Sequence, residues 1–376
     1  MERDELGDWL RLTLTPGIGN ETARKLLTAF GLPHTLWQQS ASALQQVVSS
    51  TQAAALCRQP ATLSALLDLT WTWLYQAGTD GIQRRIVVLG DADYPPSLYN
   101  IESPPLMLYL MGSGSLAELG SQRSIAVVGS RNPSPQGTAN ARNFSRALGQ
   151  AGLTVVSGLA LGVDGAAHEG ALDSLAPGSP RLATVAVVGT GLDRVYPSQH
   201  HDLARRIAHN GLLVSEYPLG TPPLSANFPR RNRIIAALAQ GTLVVEAALR
   251  SGSLITARLT AEQGKDVFAI PGSIHSTQTR GCHALIKQGA KLVETVQDVL
   301  EEMGNPGVPH QPVHAEDTQS DRALLDFLGF DPVGLDALQA RCGLEMPDLQ
   351  AQLMTLELDE KIARLPGGLF QRLPKA

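Results

Sequence analysis

From about Arg84 onward, apolar residues come in short, nearly continuous β-branched runs, and longer mixed segments separate them. Nine such runs stand out: Ile86 to Leu89, Leu106 to Leu110, Ile125 to Val128, Thr154 to Ser157, Thr184 to Val188, Leu212 to Val214, Leu243 to Val245, Val267 to Ile270 and Lys291 to Val293. A strand that is apolar on both faces must be covered on both by helices. Strands alternating with helix-length segments predict a parallel sheet with crossover connections. The expected fold class is therefore α/β, a Rossmann-like, doubly wound and mostly parallel sheet spanning residues 81–303.

The flanks follow other patterns. Leu10 to Leu27 reads as two helices joined by a tight turn, Pro16-Gly-Ile-Gly19, with Asn20 as N-cap and Gly31 as stop. This gives a small helical domain over residues 1–80, of helix-hairpin-helix/SAM-like type, in which Trp37, Trp71, Trp73 and Tyr75 serve packing or the seam to the sheet. Gly17 and Gly19 have two readings that stand side by side: a turn whose amides approach a DNA phosphate as a secondary contact, and an ordinary glycine turn. Residues 304–320 are Pro/Gly-rich and polar, and read as a linker. Beyond it, over residues 321–376, come three helices and a hairpin with Pro366-Gly-Gly368 at its tip, the order of a winged helix. Its third helix carries no Lys or Arg but has Asp348 and Glu357, which favours a structural or protein-binding role over reading a DNA groove.

Composition narrows the class. The 376 residues are 43% hydrophobic and 17% charged, with a formal net charge of -5. No run of about 18 apolar residues exists, so no membrane span is expected. The charged start Met1-Glu-Arg-Asp-Glu-Leu6 argues against a signal peptide, and Cys57, Cys282 and Cys342 are too scattered for a disulfide framework or a zinc site. A reducing cytoplasm is the expected compartment. With this net charge, any contact to nucleic acid has to come from a local groove.

Such a groove is suggested between Ser225 and Arg258, where five arginines (Arg230, Arg231, Arg233, Arg250, Arg258) accompany one acid, Glu246. Ser251-Gly-Ser253 opens a helix beginning near Leu254, an arrangement whose amides and dipole suit phosphate. The strand ends add small turns: Gly129-Ser-Arg131, Ser157-Gly158, Gly189-Thr-Gly191 and Pro271-Gly272. In a parallel sheet these lie on one edge, where open α/β folds bind ligands. Phe228, placed beside Pro229 and Arg230 on a segment read as irregular, has two readings that stand side by side: a ring that stacks a base while its phosphate is held, and a hydrophobic plug under that loop. Gly129-Ser-Arg-Asn-Pro-Ser has neither the spacing nor the acid about 20 residues on that a dinucleotide site needs, and no Walker A sequence occurs, so NAD and ATP are set aside. Asp164 and His168, four apart on one helix face, read as a local side-chain pair at the crevice rim; Glu216 and Glu246 read as anchors for arginines.

These same residues resemble the DNA-processing protein A family, DprA, also called Smf. The resemblance runs through Asp93-Tyr-Pro-Pro-Ser-Leu98, Val127-Val-Gly-Ser-Arg131, Ser157-Gly-Leu-Ala-Leu-Gly-Val-Asp164, Tyr196-Pro197, Phe228-Pro-Arg-Arg-Asn-Arg-Ile-Ile235, Ser251-Gly-Ser-Leu-Ile-Thr-Ala-Arg258 and Gly281-Cys-His-Ala-Leu-Ile286, about 200 residues in order. It implies a non-enzymatic, cofactor-free homodimer that binds single-stranded DNA during natural transformation, protects it and helps load RecA. Single-strand-binding protein is a further candidate partner. Carried over by position, it implies DNA contacts at Gly129, Ser130, Arg131, Phe228, Arg231, Asn232, Arg233, Ser251, Gly252, Ser253 and Thr256. His283 and His200 replace asparagines common in the family, and Ser225 stands where some relatives have lysine.

A rival class remains open at the sequence level: a nucleotide-phosphate or N-glycosidic hydrolase using the same crevice, with Glu246 or Asp164 as its acid. The Pro-Gly-Gly-x-Gly-Thr signature of such proteins is absent.

Overall fold

The computed structural model describes residues 1–75, 81–117, 119, 123–176, 178, 179, 181–304, 319–359 and 361–373. Most of the sequence-predicted linker therefore lies outside the described residues. All nine apolar runs form strands of one sheet: β1 Arg84–Val88, β2 Met107–Gly112, β3 Ser124–Val128, β4 Thr154–Ser157, β5 Thr184–Val187, β6 Leu212–Ser215, β7 Gly241–Val244, β8 Asp266–Ala269 and β9 Lys291–Leu292. Their order is β1-β2-β6-β5-β4-β3-β7-β8-β9. The seven strands from β6 to β9 are mutually parallel, whereas β2 runs antiparallel to both β1 and β6. Between β1 and β2 the chain forms only the four-residue helix Pro96–Tyr99, too little for a crossover, so β2 returns beside β1.

The consecutive apolar pattern has its reason in two covered faces. On one, Ala126, Val128, Val156, Val187 and Val244 pack against Ile234, Ile235 and Leu238 of helix Asn227–Leu238 and Ala257 of helix Ser253–Glu262. On the other, Ile125, Val127, Val155 and Leu243 pack against helices Pro135–Gln150 and Val163–Asp173. Dozens of fully buried aliphatic side chains at about 1.5–3 kcal/mol each make these two layers the main stabilising term.

The N-terminal helices, among them Arg3–Leu14 and Asn20–Phe30, share a core that includes Val88, Leu106 and Met107 from the edge of the sheet. Trp73 completes this seam, its ring centre 6.0 Å from that of Tyr109 on β2. Helix Asn20–Phe30 is N-capped by Gly19, one residue before the expected Asn20, and stops at Gly31 with φ 83°. The C-terminal portion has helices Gln319–Leu328, Leu335–Cys342 and Met346–Leu358 beside a three-stranded sheet, β10 Val333–Gly334, β11 Ile362–Leu365 and β12 Leu369–Arg372, in the order β10-β12-β11. That is a winged-helix arrangement.

Candidate nucleic-acid interface

β3 is followed on one side by β4 and approached on the other by β7, so successive connections leave it in opposite directions. Where the winding reverses, the loops splay apart at the carboxyl ends of the strands and leave a crevice. Here the crevice has a volume of about 460 Å³, within the roughly 300–1,000 Å³ of ligand sites. Its walls are Gly129, Ser130 and Arg131 after β3, Ala160 and Asp164 after β4, Phe228, Arg231 and Asn232 from helix Asn227–Leu238, and Arg250 to Ser253 with Thr256 after β7. A larger cavity, of about 800 Å³, lies beside β8 and β9 and shares Arg250 and Ser251 with it, but stands away from the switch point.

Of the residues expected to bind DNA, ten meet in this crevice, and Arg233 does not. The segment Asn227-Phe-Pro-Arg-Arg is the first turn of a helix, in contrast to the irregular conformation expected. Proline is tolerated there because no carbonyl needs its missing N–H. Helical spacing then turns Phe228, Arg231, Asn232 and Ile235 toward the crevice and Arg233 away from it. Arg233 instead pairs with Glu216, in a largely buried contact. Burial raises the Glu216 carboxyl, while the Arg233 charge opposes that. The far end of this helix is fixed by Lys265, whose Nζ donates to the carbonyls of Ala236, Ala237 and Ala239 at 2.8, 2.9 and 2.7 Å.

Arg231 lines the crevice floor but is 4% exposed. Its Nη1 donates to the carbonyls of Gly158, at 2.6 Å, and Val187, and its Nε to Asn232 Oδ1 at 3.0 Å. Nη2 stands 4.0 Å from Asp164 Oδ2. The guanidinium thus ties the ends of β4 and β5 together. Burial lowers its pKa to about 10, so it stays cationic at neutral pH, and the same burial raises the Asp164 carboxyl against the pull of Arg231. Gly158 is required here, because a Cβ would collide with the guanidinium.

The cation left for a ligand at the mouth is Arg131, exposed, with its guanidinium carbon 5.6 Å from the ring centre of Phe228. Arg250, exposed and lining the crevice after β7, is a second. The Ser251-Gly-Ser253 turn departs from expectation: the first helical amides are used internally. Ser253 N–H donates to Ser251 Oγ (3.3 Å), Leu254 N–H to the Ser251 carbonyl (3.2 Å) and Ile255 N–H to the Gly252 carbonyl (3.2 Å). What faces the crevice is a pair of hydroxyls, Ser251 Oγ and Ser253 Oγ, 2.7 Å apart, backed by the positive end of the helix dipole. Asn232 Nδ2 holds this turn by donating to the Gly252 carbonyl at 3.2 Å.

Two other pairings differ from those expected. His168 does not pair with Asp164: its Nδ1 lies 2.7 Å from Thr184 Oγ1, and Asp164 accepts from the Ala160 N–H. Among the described residues Glu246 anchors no arginine; it accepts from the Ser134 N–H and hydroxyl, and sits outside the crevice lining. Gln278 was missed by sequence reasoning. Its Oε1 accepts from Ser130 Oγ at 3.3 Å and its Nε2 donates to the Asn132 carbonyl at 3.2 Å, closing one wall. No local signal marks it, since it stands on a polar loop far in sequence from both partners. In the N-terminal hairpin, the Gly17 carbonyl accepts from Gln52 Nε2 at 2.9 Å, and Gly17 has φ 78°.

The fold and crevice define an α/β protein with a Rossmann-like sheet, an aromatic and cationic cleft at its switch point, and an appended winged helix. Sequence comparison places it more closely. The chain belongs to the DNA recombination-mediator protein A family, whose profile matches residues 85–304, and a DprA winged helix domain profile matches residues 308–368. It is 43% identical to Protein Smf of Escherichia coli over 75% of this chain and 76% of that one. It is 46% identical to DNA processing protein DprA of Streptococcus pneumoniae over 56% and 72% of the two chains. Among solved structures, the Streptococcus pneumoniae DprA matches with a TM-score of 0.63 at 36% identity, covering 80% of this chain and 98% of the other. DNA processing protein A from Helicobacter pylori, described for its single-stranded DNA binding mode, matches with a TM-score of 0.52 at 29% identity, covering 60% and 97%.

Proposed function

We propose that this chain binds single-stranded DNA in the switch-point crevice and acts on it as a carrier, without cutting it. The observation that carries the reading is the meeting of Arg131, Phe228, Ser251 and Ser253 on one cleft: a cation and hydroxyls for phosphate beside a ring for a base. Backbone grip plus stacking is the chemistry of single-strand binding without sequence readout. The DNA contacts proposed are Ser130, Arg131, Phe228, Ser251, Ser253 and Thr256, with Gly129 and Gly252 giving close backbone approach. Asn232 and Arg231 shape the cleft from behind. The relative from Helicobacter pylori, by its description, binds single strands. Acting in the cytoplasm as a homodimer, protecting the strand and delivering it to RecA is the role we propose in the cell.

A non-catalytic role is supported by the acids. Among the residues lining the crevice Asp164 is the one carboxylate, and Arg231 and the Ala160 N–H hold it. A hydrolase would need an acid free to move a proton. Nucleoside monophosphates incubated with the protein are expected to release no base.

The deciding experiment is a gel-shift comparison of homopolymer single strands and duplex, over a salt series, with and without RecA. The expected result is retention of single strands in preference to duplex, affinity falling steeply with salt, and faster RecA filament formation. Equal retention of duplex and single strands would sink the reading.

A further inference from the structure

Phe228 has an aromatic neighbour that stands outside the crevice lining. Tyr196, on the loop between β5 and helix His201–Asn210, has its ring centre 5.5 Å from that of Phe228, with the planes inclined at 37°. It is 48% exposed, unlike the core tyrosines Tyr94 and Tyr109 at 2% and 1%. A tyrosine half in water keeps an apolar face available while its hydroxyl stays solvated.

We propose that Tyr196 extends the stacking surface of Phe228, so that the site takes two successive bases of one strand: the first on Phe228 beside Arg131, the next on Tyr196. This rests on the single-strand reading above and adds a second nucleotide position to it. A base sandwiched between two rings needs about 7 Å between them, two aromatic contacts of about 3.5 Å each. At 5.5 Å and 37° no base fits between these rings. They form two adjoining steps instead, a shape suited to neighbouring bases of a flexible strand and poorly suited to bases held in a duplex stack. Because every base has a π face, such a platform is tolerant of sequence. Arg131, at 5.6 Å from the Phe228 ring, adds its charge next to the first step and leaves the second to stacking alone.

The test is equilibrium binding of labelled oligo-dT of increasing length to the full chain at fixed low salt. Tyr196→Ala is expected to weaken binding about 5- to 10-fold, the low end of what one stacked base contributes. The length at which affinity levels off is expected to fall by one nucleotide. Tyr196→Phe should bind as the wild type does. Tyr196→Leu, which keeps apolar packing against Phe228 but offers no π face, should weaken binding as alanine does. The slope of affinity against salt should not change, since no phosphate contact is lost. Tyr196→Leu binding as tightly as wild type, Tyr196→Phe losing as much as alanine, or a reduced salt slope would each overturn the proposal. If the wild type holds no oligo-dT, the single-strand reading falls and this falls with it; if the wild type binds and Tyr196→Leu matches it, only the second base position falls.

Discussion

The guanidinium carbon of Arg131 lies 5.6 Å from the ring centre of Phe228, although 97 positions of chain separate the two residues. One arrives on the turn after β3, the other on the first turn of the helix preceding β7, and the reversal of winding at β3 brings them together. A charge and a flat apolar face at this distance act on different parts of a nucleotide, so their contributions separate experimentally.

Arg131→Ala should lower the slope of log affinity against log salt by about 1, the signature of one lost phosphate contact. Phe228→Ala should leave that slope unchanged and cost about 1–3 kcal/mol of binding. Filter binding over a salt series checks both; matching slopes in the two variants would contradict the division of roles.

Arg231 holds the cleft together from beneath, so its loss should appear in stability before it appears in binding. Arg231→Ala leaves Asp164 as a buried, unpaired acid and should destabilise the fold by about 3–5 kcal/mol. Adding Asp164→Asn to that variant should restore part of the loss, because the stranded charge is gone. Urea denaturation measures both; an Arg231→Ala variant of normal stability but weakened DNA binding would make Arg231 a direct contact after all.

Arg233 offers the contrast. It pairs with Glu216 outside the crevice lining. Arg233→Ala should therefore change DNA affinity by less than about twofold at saturating fold, while lowering stability by about 1–3 kcal/mol through the stranded Glu216. A large loss of binding with unchanged stability would place Arg233 on the DNA.

His168 sets a pH dependence. Thr184 Oγ1 donates to the Val155 carbonyl at 2.7 Å, so it must accept from His168 Nδ1–H, and Nε2 is left buried with no hydrogen-bond partner among the described residues. A second proton has nowhere favourable to go, and burial, with the His200 and Arg231 charges, lowers the ring to about 3 from 6.5. The folded state thus binds fewer protons than the unfolded one between these values. The stability of the neutral ring is full above pH 6.5 and is lost as pH falls toward 3. At pH 5 the loss amounts to about 2 kcal/mol. His168→Gln should flatten the stability curve between pH 7 and 5 by about that amount in thermal or urea melts; parallel curves would show that His168 is not the titrating group.

The strands of the main sheet were legible in the chain, the inner ones because a stretch such as Ile125 to Val128 has no polar position to offer solvent and can only be buried on both sides; the edge strand Lys291–Leu292 is exposed. The turns after those strands were legible for the same local reason, since Gly129, Gly158 and Gly252 punctuate the pattern. Local chemistry could not say that Pro229 sits inside a first helical turn, and with that turn misread, Arg233 could not be told from Arg231.

The sequence by itself determined the strands, the order of elements and the inventory of arginines, hydroxyls and one Phe available to a ligand. Tertiary structure alone decided which of them share a cleft. Winding reverses at β3, and that gathers Arg131, Phe228, Ser253 and Gln278 from distant stretches while it buries Arg231 under them. Burial and direction are properties of three-dimensional neighbours, and no spacing along the chain encodes them: the same guanidinium is a ligand contact in water and a brace between strand ends once Gly158 and Val187 close over it.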